Sequence, residues 1–355
     1  MNNRLINANR RFLGSVLLAL AGAIAPTSTT NADPITELRS LSVFKNADMA
    51  KLAAGDVLAS QGPGMRFSRG GSTESAYVVR APVKTTVGLF QQWRPTQHPE
   101  LRVYLQEDLS ARATANDFRN LASAPSNSSV KAFVDATEKL PGDASKLQLS
   151  SAEVKQYTGG GSPGGGTIPP PVVAFWSQVL AQRARSFVSG GLAAQPPYQT
   201  SGSNISVADE VARLLEERGD VRSHFSSLIS STAIGGGRGS PSLNWQLFYG
   251  GGRGGVSLAS VSLAASYSRP AADGWQIADL GFYSSGAYYA TVTLHQLWPV
   301  QVDGGEATLI WRVDLVSSAP LAELRGAERL GSGAAMMREI QTNVRAFLKD
   351  APRGK

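Results

Sequence analysis

The chain has 355 residues, with 34 Lys+Arg against 27 Asp+Glu, no cysteine and three histidines. The absence of cysteine excludes a disulfide framework, a thiolate metal site and a cysteine nucleophile, and three histidines leave little for a histidine-based metal centre. Charged residues at 17 %, hydrophobic residues at 42 % and 37 glycines describe a globular chain, neither coiled coil nor polyelectrolyte tail.

Residues 1–32 read as a secretory signal. Arg10-Arg11 precede an apolar run from Phe12 to Ala25 that is too short to span a bilayer, which needs roughly 20 apolar residues. Thr30-Asn31-Ala32 before Asp33 meets the small-x-small cleavage rule, so cleavage is expected after Ala32. Ala23-Ile24-Ala25 is the poorer site because Pro26 follows. The Sec route is expected, to the periplasm or the exterior. Asn9-Arg10-Arg11-Phe12-Leu13 resembles a twin-arginine signal but lacks a spacer residue. Arg4, Arg10 and Arg11 account for three of the 34 basic residues, with no acid among them, so the remainder carries 31 basic against 27 acidic residues, net +4. That mild charge, with no basic run longer than two, argues against a nucleic-acid partner. No second apolar segment is long enough for a stable membrane span.

The mature chain is expected to be one α+β domain over 33–355, interrupted by a helical and loop insertion at 110–231. Helical spacing of Leu38, Leu41, Phe44, Met49 and Leu52 predicts a helix over 34–54. Short strands are predicted at 56–61, 73–81 and 101–105. Pro82 opens a helix over 83–93, with Val83, Val87, Phe90 and Trp93 on one face. Within the insertion, helices are predicted at 117–140, 150–157, 172–188 and 206–217. Ser206 is the N-cap of the last, with Glu210 near the capping-box position. The run Gly159–Gly166 reads as a hinge. Strands are predicted at 243–249, 256–267, 275–283, 287–300 and 307–317. In the fourth, Tyr288, Ala290, Val292, Leu294 and Trp298 alternate with Tyr289, Thr291, Thr293 and His295, the pattern of an antiparallel sheet with one wet face. An amphipathic helix over 333–349 closes the chain, with Met336, Met337, Ile340, Val344, Phe347 and Leu348 as its stripe.

No motif announces a reaction. Gly250–Gly255 and Gly159–Gly164 match G-x-G-x-x-G by letters, but neither stands between a strand and a helix, as a dinucleotide site requires. They and Gly235–Gly239 read as a hinge and hairpin connections. There is no G-x-S-x-G elbow. His98, His224 and His295 read as surface histidines. Glu100, Glu107 and Asp108 are near enough in sequence to form a carboxylate cluster, though a solvated loop explains them equally. No metal or cofactor is called for.

Two stretches carry a resemblance. One is Tyr77-Val78-Val79-Arg80-Ala81-Pro82 followed by the helix over 83–93. The other is the strand pair Tyr288–Trp298 and Leu309–Leu315 leading into Met336–Leu348. Together they resemble the helix-grip fold of the START-like superfamily, which includes polyketide-cyclase and Bet-v-1-like proteins, over roughly 35–109 and 243–350. The resemblance implies a curved antiparallel sheet wrapped around the long C-terminal helix, with an apolar cavity between them. It also implies a hydrophobic small molecule or lipid as partner. The expected cavity residues are Trp245, Tyr288, Val292, Trp298, Trp311, Met336, Met337 and Ile340, with helices of the insertion as a lid. The alternatives are an enzyme of cyclase or hydrolase type in the same cavity, using His295 with Glu or Asp groups, and an envelope structural or interaction protein with no ligand. At least two ionisable groups converging in the cavity would favour the enzyme.

Overall fold

A computed structural model describes residues 33–159, 167–199, 204–253 and 256–352. The predicted signal segment, most of the predicted glycine hinge and Gly254-Gly255 lie outside the described residues.

The predicted first helix is two. α1 spans Pro34–Leu41 and α2 spans Met49–Ala53. Polar groups hold the turn between them. The Arg39 guanidinium donates to the Ala47 carbonyl at 2.8 and 2.6 Å, and the Asp48 side chain caps α2 at Ala50 N. β1 (Leu58–Gln61), β2 (Gly70–Val79), α3 (Val83–Gln92) and β3 (Val103–Leu109) follow the predicted order.

The helical region differs more. The expected helix over 117–140 breaks at Pro125 into a 3₁₀ segment, Ala115–Ser123, and α4, Ser128–Glu138, which Asn127 caps. Then come α5 (Ser151–Val154), α6 (Pro170–Gly190) and the two-residue strands β4 (Tyr198–Gln199) and β5 (Asn204–Ile205). α7 (Val207–Glu217), α8 (Gly219–His224) and α9 (Ser226–Ser231) end the region. Ser206 does cap α7, but Glu210 turns away from the cap to pair with Arg69 at 2.6 Å. Gly235–Gly239 is not a hairpin connection. It leads from α9 into the sheet, and a Cβ at Gly237 would stand 2.5 Å from the Ser230 carbonyl, so only glycine fits.

Long strands follow as predicted: β6 (Ser242–Arg253), β7 (Val256–Ala271), β8 (Gly274–Ser284), β9 (Ala290–Val302) and β10 (Gly305–Ser317). Asp303 and Gly304, both at positive φ, make the two-residue turn between β9 and β10. The chain ends in α10 (Ala319–Glu323) and the long α11 (Gly326–Asp350). One eight-stranded sheet runs in the order β1-β2-β10-β9-β8-β7-β6-β3, with every neighbouring pair antiparallel. The glycines at 250–252 therefore sit in a β-hairpin, which excludes the βαβ setting of a dinucleotide loop. Among the described residues no helix is long and apolar enough to cross a membrane.

Candidate functional site

Pleating sends alternate side chains to opposite faces of the sheet, and the two faces are unlike. Leu243, Trp245, Leu263, Leu280, Leu294, Trp298, Leu309 and Trp311 point to the first face, which α1, α2 and the helical region cover in one large apolar core. Tyr77, Val79, Ile277, Leu297 and Ile310 point to the second face. There they form a smaller core with Val87 of α3 and Ile340, Val344 and Phe347 of α11. Phe347 stacks on Phe90 with ring centroids 4.5 Å apart. The far end of α11 is pinned by Asp350, which accepts from Trp93 Nε1 at 3.0 Å and meets His98 Nε2 at 2.7 Å.

The insertion thus lies against the sheet on the face opposite α11 and is not a lid over the helix side. This also divides the expected cavity residues. Trp245, Val292, Trp298 and Trp311 are in the core of the first face, at most 1 % exposed. Their indole nitrogens are used there: Trp245 donates to the Asp117 carbonyl, Trp311 to Glu74, and Trp298 to Glu37 and Asp273. Met336, Met337 and Ile340 are on α11; Met336 Cε lies 3.6 Å from where a Gly71 Cβ would stand, on the second face. Tyr288 also serves the second face. It precedes β9, so the strand's alternation does not fix its direction. It lies over Gly281, where a Cβ would come within 2.9 Å of its hydroxyl.

α3 and α11 leave a strip of the second face uncovered, and this strip is the candidate groove. Strand pairing sets Thr73, Asp314, Thr293, Asp279 and Ser266 in one line across β2, β10, β9, β8 and β7. Ser75, Arg312, His295 and Ile277 form the adjoining line on the α3 side. Gly71, Val316, Thr291, Gly281, Ala264 and Asn244 form the line on the other side. Asn244, Ala264, Ser266, Asp279, Thr291, Thr293, Arg312, Asp314 and Val316 are half-buried, whereas their first-face neighbours are sealed. Tyr288 and Phe248, stacked with centroids 6.4 Å apart, stand at the β6 side, and Met336 at the β2 side.

Charge in the groove is asymmetric. Arg312 grips Asp314 through Nε and Nη2 at 2.8 and 2.7 Å and gives Nη1 to Asn343 of α11 at 2.7 Å. Thr293 adds a hydrogen bond to Asp314 at 2.9 Å. That pair is balanced. Asp279 is not: among the described residues no lysine or arginine comes within ion-pair distance of it, and its nearest basic atom is His295 Nδ1 at 3.8 Å. Partial burial, with Asp314 in support, raises the Asp279 carboxyl above the usual range, against the opposing pull of Ser266 and Arg312. Burial, then Arg312, drives His295 well below its ordinary value, so its ring is neutral at pH 7. The Tyr288 phenol is pushed up to about 12 by burial.

His295 is therefore no surface histidine. It is 2 % exposed, beneath Phe90, and neither ring nitrogen has a hydrogen-bond partner. His98 is buried as well, and His224 is half-buried, 3.0 Å from Gln296 Oε1. Glu100, Glu107 and Asp108 form no cluster. Each has its own partner: Lys349, Asn120 and Arg94. The second face holds further buried polar atoms without a partner: Thr73 Oγ1, Ser75 Oγ, Asn244 Oδ1 and Trp275 Nε1. Folded proteins satisfy nearly all such groups, so their concentration beside one groove marks it. Sequence reasoning missed Asp279, Thr293, Arg312 and Asp314 as a group. The period-2 pattern of the fourth predicted strand sets Thr293 on its polar side, but strand pairing, which brings Asp279, Arg312 and Asp314 beside it, is not written in any one segment.

Two other clefts, of about 340 and 300 Å³, lie by Asp33–Ile35 with Pro299–Gln301 and by Leu140-Pro141 with Tyr157. Neither gathers unpartnered polar atoms. Among the described residues no three His, Asp or Glu side chains are placed to hold a metal ion. The fold and groove define an α+β protein with an antiparallel sheet gripped on one face by its C-terminal helix. No protein-family model matches the chain, and no curated protein matches it.

Proposed function

We propose that the mature chain, exported and cut after Ala32, binds a small amphipathic molecule in the groove between the sheet and α11, as its START-like resemblance implies. The observation that carries this reading is the half-buried second face, where polar atoms without partners converge beside an otherwise finished core. A ligand that is hydrocarbon throughout fits poorly, because covering the open Asp279 carboxylate with it would strip water from that group and return no hydrogen bond, at about 1–3 kcal/mol for a polar group and more for a charged one. A molecule with a polar end over the Asp314–Thr293–Asp279 line and an apolar body against Met336, Val316, Tyr288 and Phe248 satisfies both kinds of surface.

Native mass spectrometry of protein recovered from the extracytoplasmic fraction of producing cells tests this. The expected species is a chain beginning at Asp33 that carries a small-molecule adduct. The adduct should be lost in Ala264→Trp, whose indole would fill the floor between Gly281 and Asn244. Absence of an adduct, together with no amide shifts at 264, 279 and 293 when amphipathic amines, alcohols and acids are titrated, would refute the reading.

A further inference from the structure

The polar end of the ligand can be specified further, on the assumption that the groove is a binding site at all. We propose that the groove takes a ligand with a cationic head, an organic ammonium or guanidinium group, seated on Asp279 and flanked by the Tyr288 ring. Three observations converge on it. The floor of the groove carries one carboxylate in excess. Arg312 and Asp314 cancel each other, Asp108 at the rim is paired with Arg94 at 2.7 Å, and Asp279 has no cationic partner among the described residues. The Asp279 side chain keeps 42 % of its surface exposed and is thus open to a ligand from solvent.

The second observation is the ring. The Tyr288 hydroxyl and ring edge lie over Gly281, which is the next residue after Asp279 on the same face of β8, so the ring stands one position along the strand from the carboxylate. A carboxylate beside an aromatic face attracts a cation through charge and the ring quadrupole together. Gly281 is required for this. A side chain there would meet Thr291 Oγ1 and the Tyr288 ring and push the ring off the floor.

The third observation is His295. Its imidazole is 98 % buried, has no hydrogen-bond partner, and directs Nδ1 at Asp279 from 3.8 Å. That nitrogen is closed to solvent and its ring is neutral, so it gives Asp279 no positive charge, and the open side of the carboxylate is where a cation would sit. The Arg312 guanidinium acts on Asp279 only from beyond ion-pair distance, because its hydrogen bonds go to Asp314 and Asn343, and the Thr293 hydroxyl is committed to Asp314.

The test uses three probes of one shape: phenethylamine, phenethyl alcohol and 3-phenylpropionate. Each is titrated into the mature protein at fixed ionic strength, with amide shifts to locate binding and calorimetry to measure it. The amine should bind at least tenfold more tightly than the alcohol, and the acid more weakly still, with shifts at Ser266, Asp279, Tyr288 and Thr293. Asp279→Asn should bring amine binding down to the level of the alcohol. The variant should melt no lower than the parent, since it loses an uncompensated carboxylate. If the alcohol or the acid binds the same residues as well as the amine does, the cationic specificity is wrong and the binding groove stands. If none of the three moves those residues, the groove reading falls with it.

Discussion

Single residues tie the layers of this protein together through buried ion pairs. Arg183 and Glu153 are 0 and 3 % exposed and meet at 2.7 Å, and Arg218 and Glu74 are each 1 % exposed and meet at 3.0 Å. Glu74 also accepts from Trp311 Nε1 and Val43 N, so one carboxylate joins β2, β10, α8 and the turn after α1. Removing one partner of such a pair leaves a charge without water or counterion. Glu74→Ala is expected to cost about 3–5 kcal/mol in urea unfolding, and Glu74→Ala with Arg218→Met to cost less than the single change. Additive losses in the double mutant would show that the pair is not the cause. None of this was legible in the sequence. The partners stand far apart in the chain, and an arginine in a polar helix looks the same whether it faces solvent or a buried glutamate.

At the scale of elements, α11 was legible and its setting was not. The stripe from Met336 to Leu348 announces a helix with one apolar side. Its first turns, containing Gly331 and Gly333, carry no such stripe, yet Gly333 is needed against β1, because the Gln61 side chain occupies the place a side chain there would take. Which sheet face receives the helix could not be read, because β9 and β10 carry apolar residues on both sides. Trp298 and Trp311 drew attention by size, and size follows the larger core. Phe347 is the anchor of α11, with Phe90, Tyr77 and Trp93 around it. Phe347→Ala should lower stability by about 3–5 kcal/mol. It should also broaden the amide signals of α11 before those of the helical region, because only the smaller core loses a member. Uniform loss across both layers would contradict the two-core arrangement.

For the whole molecule, the pH dependence of stability follows from groups whose proton affinity changes on folding. His295 is neutral in the folded state and His224 is shifted the same way by burial, while both regain an ordinary value near 6.5 when unfolded. Below about pH 6.5 the unfolded chain binds protons that the folded chain refuses, so these histidines cost stability as pH falls. Asp279 and Glu37, raised by burial, act with the opposite sign and favour the folded state on acidification. The net slope is a difference of these terms, and a variant isolates one of them. Between pH 7.5 and 5, His295→Leu should lose less stability than the parent, by up to about 1.4 kcal/mol per pH unit for the single proton. Equal slopes in urea unfolding at the two pH values would refute this burial.

The strand order has a consequence for how the protein is made. β6 to β10 are sequential hairpins, but β2 reaches β10 only by pairing residues 70–79 with 308–317, across the whole helical region. Local hairpins close fast and distant pairings close slowly. The meander from β6 to β10 is therefore expected to form before β2 docks, and pulse-labelled hydrogen exchange that protects β2 as early as β8 would contradict it. Thr73 joins Asp314, and α11 finds its seat on β1 and β2, at that last closure. The second face around Asp279 is therefore complete only in the finished fold.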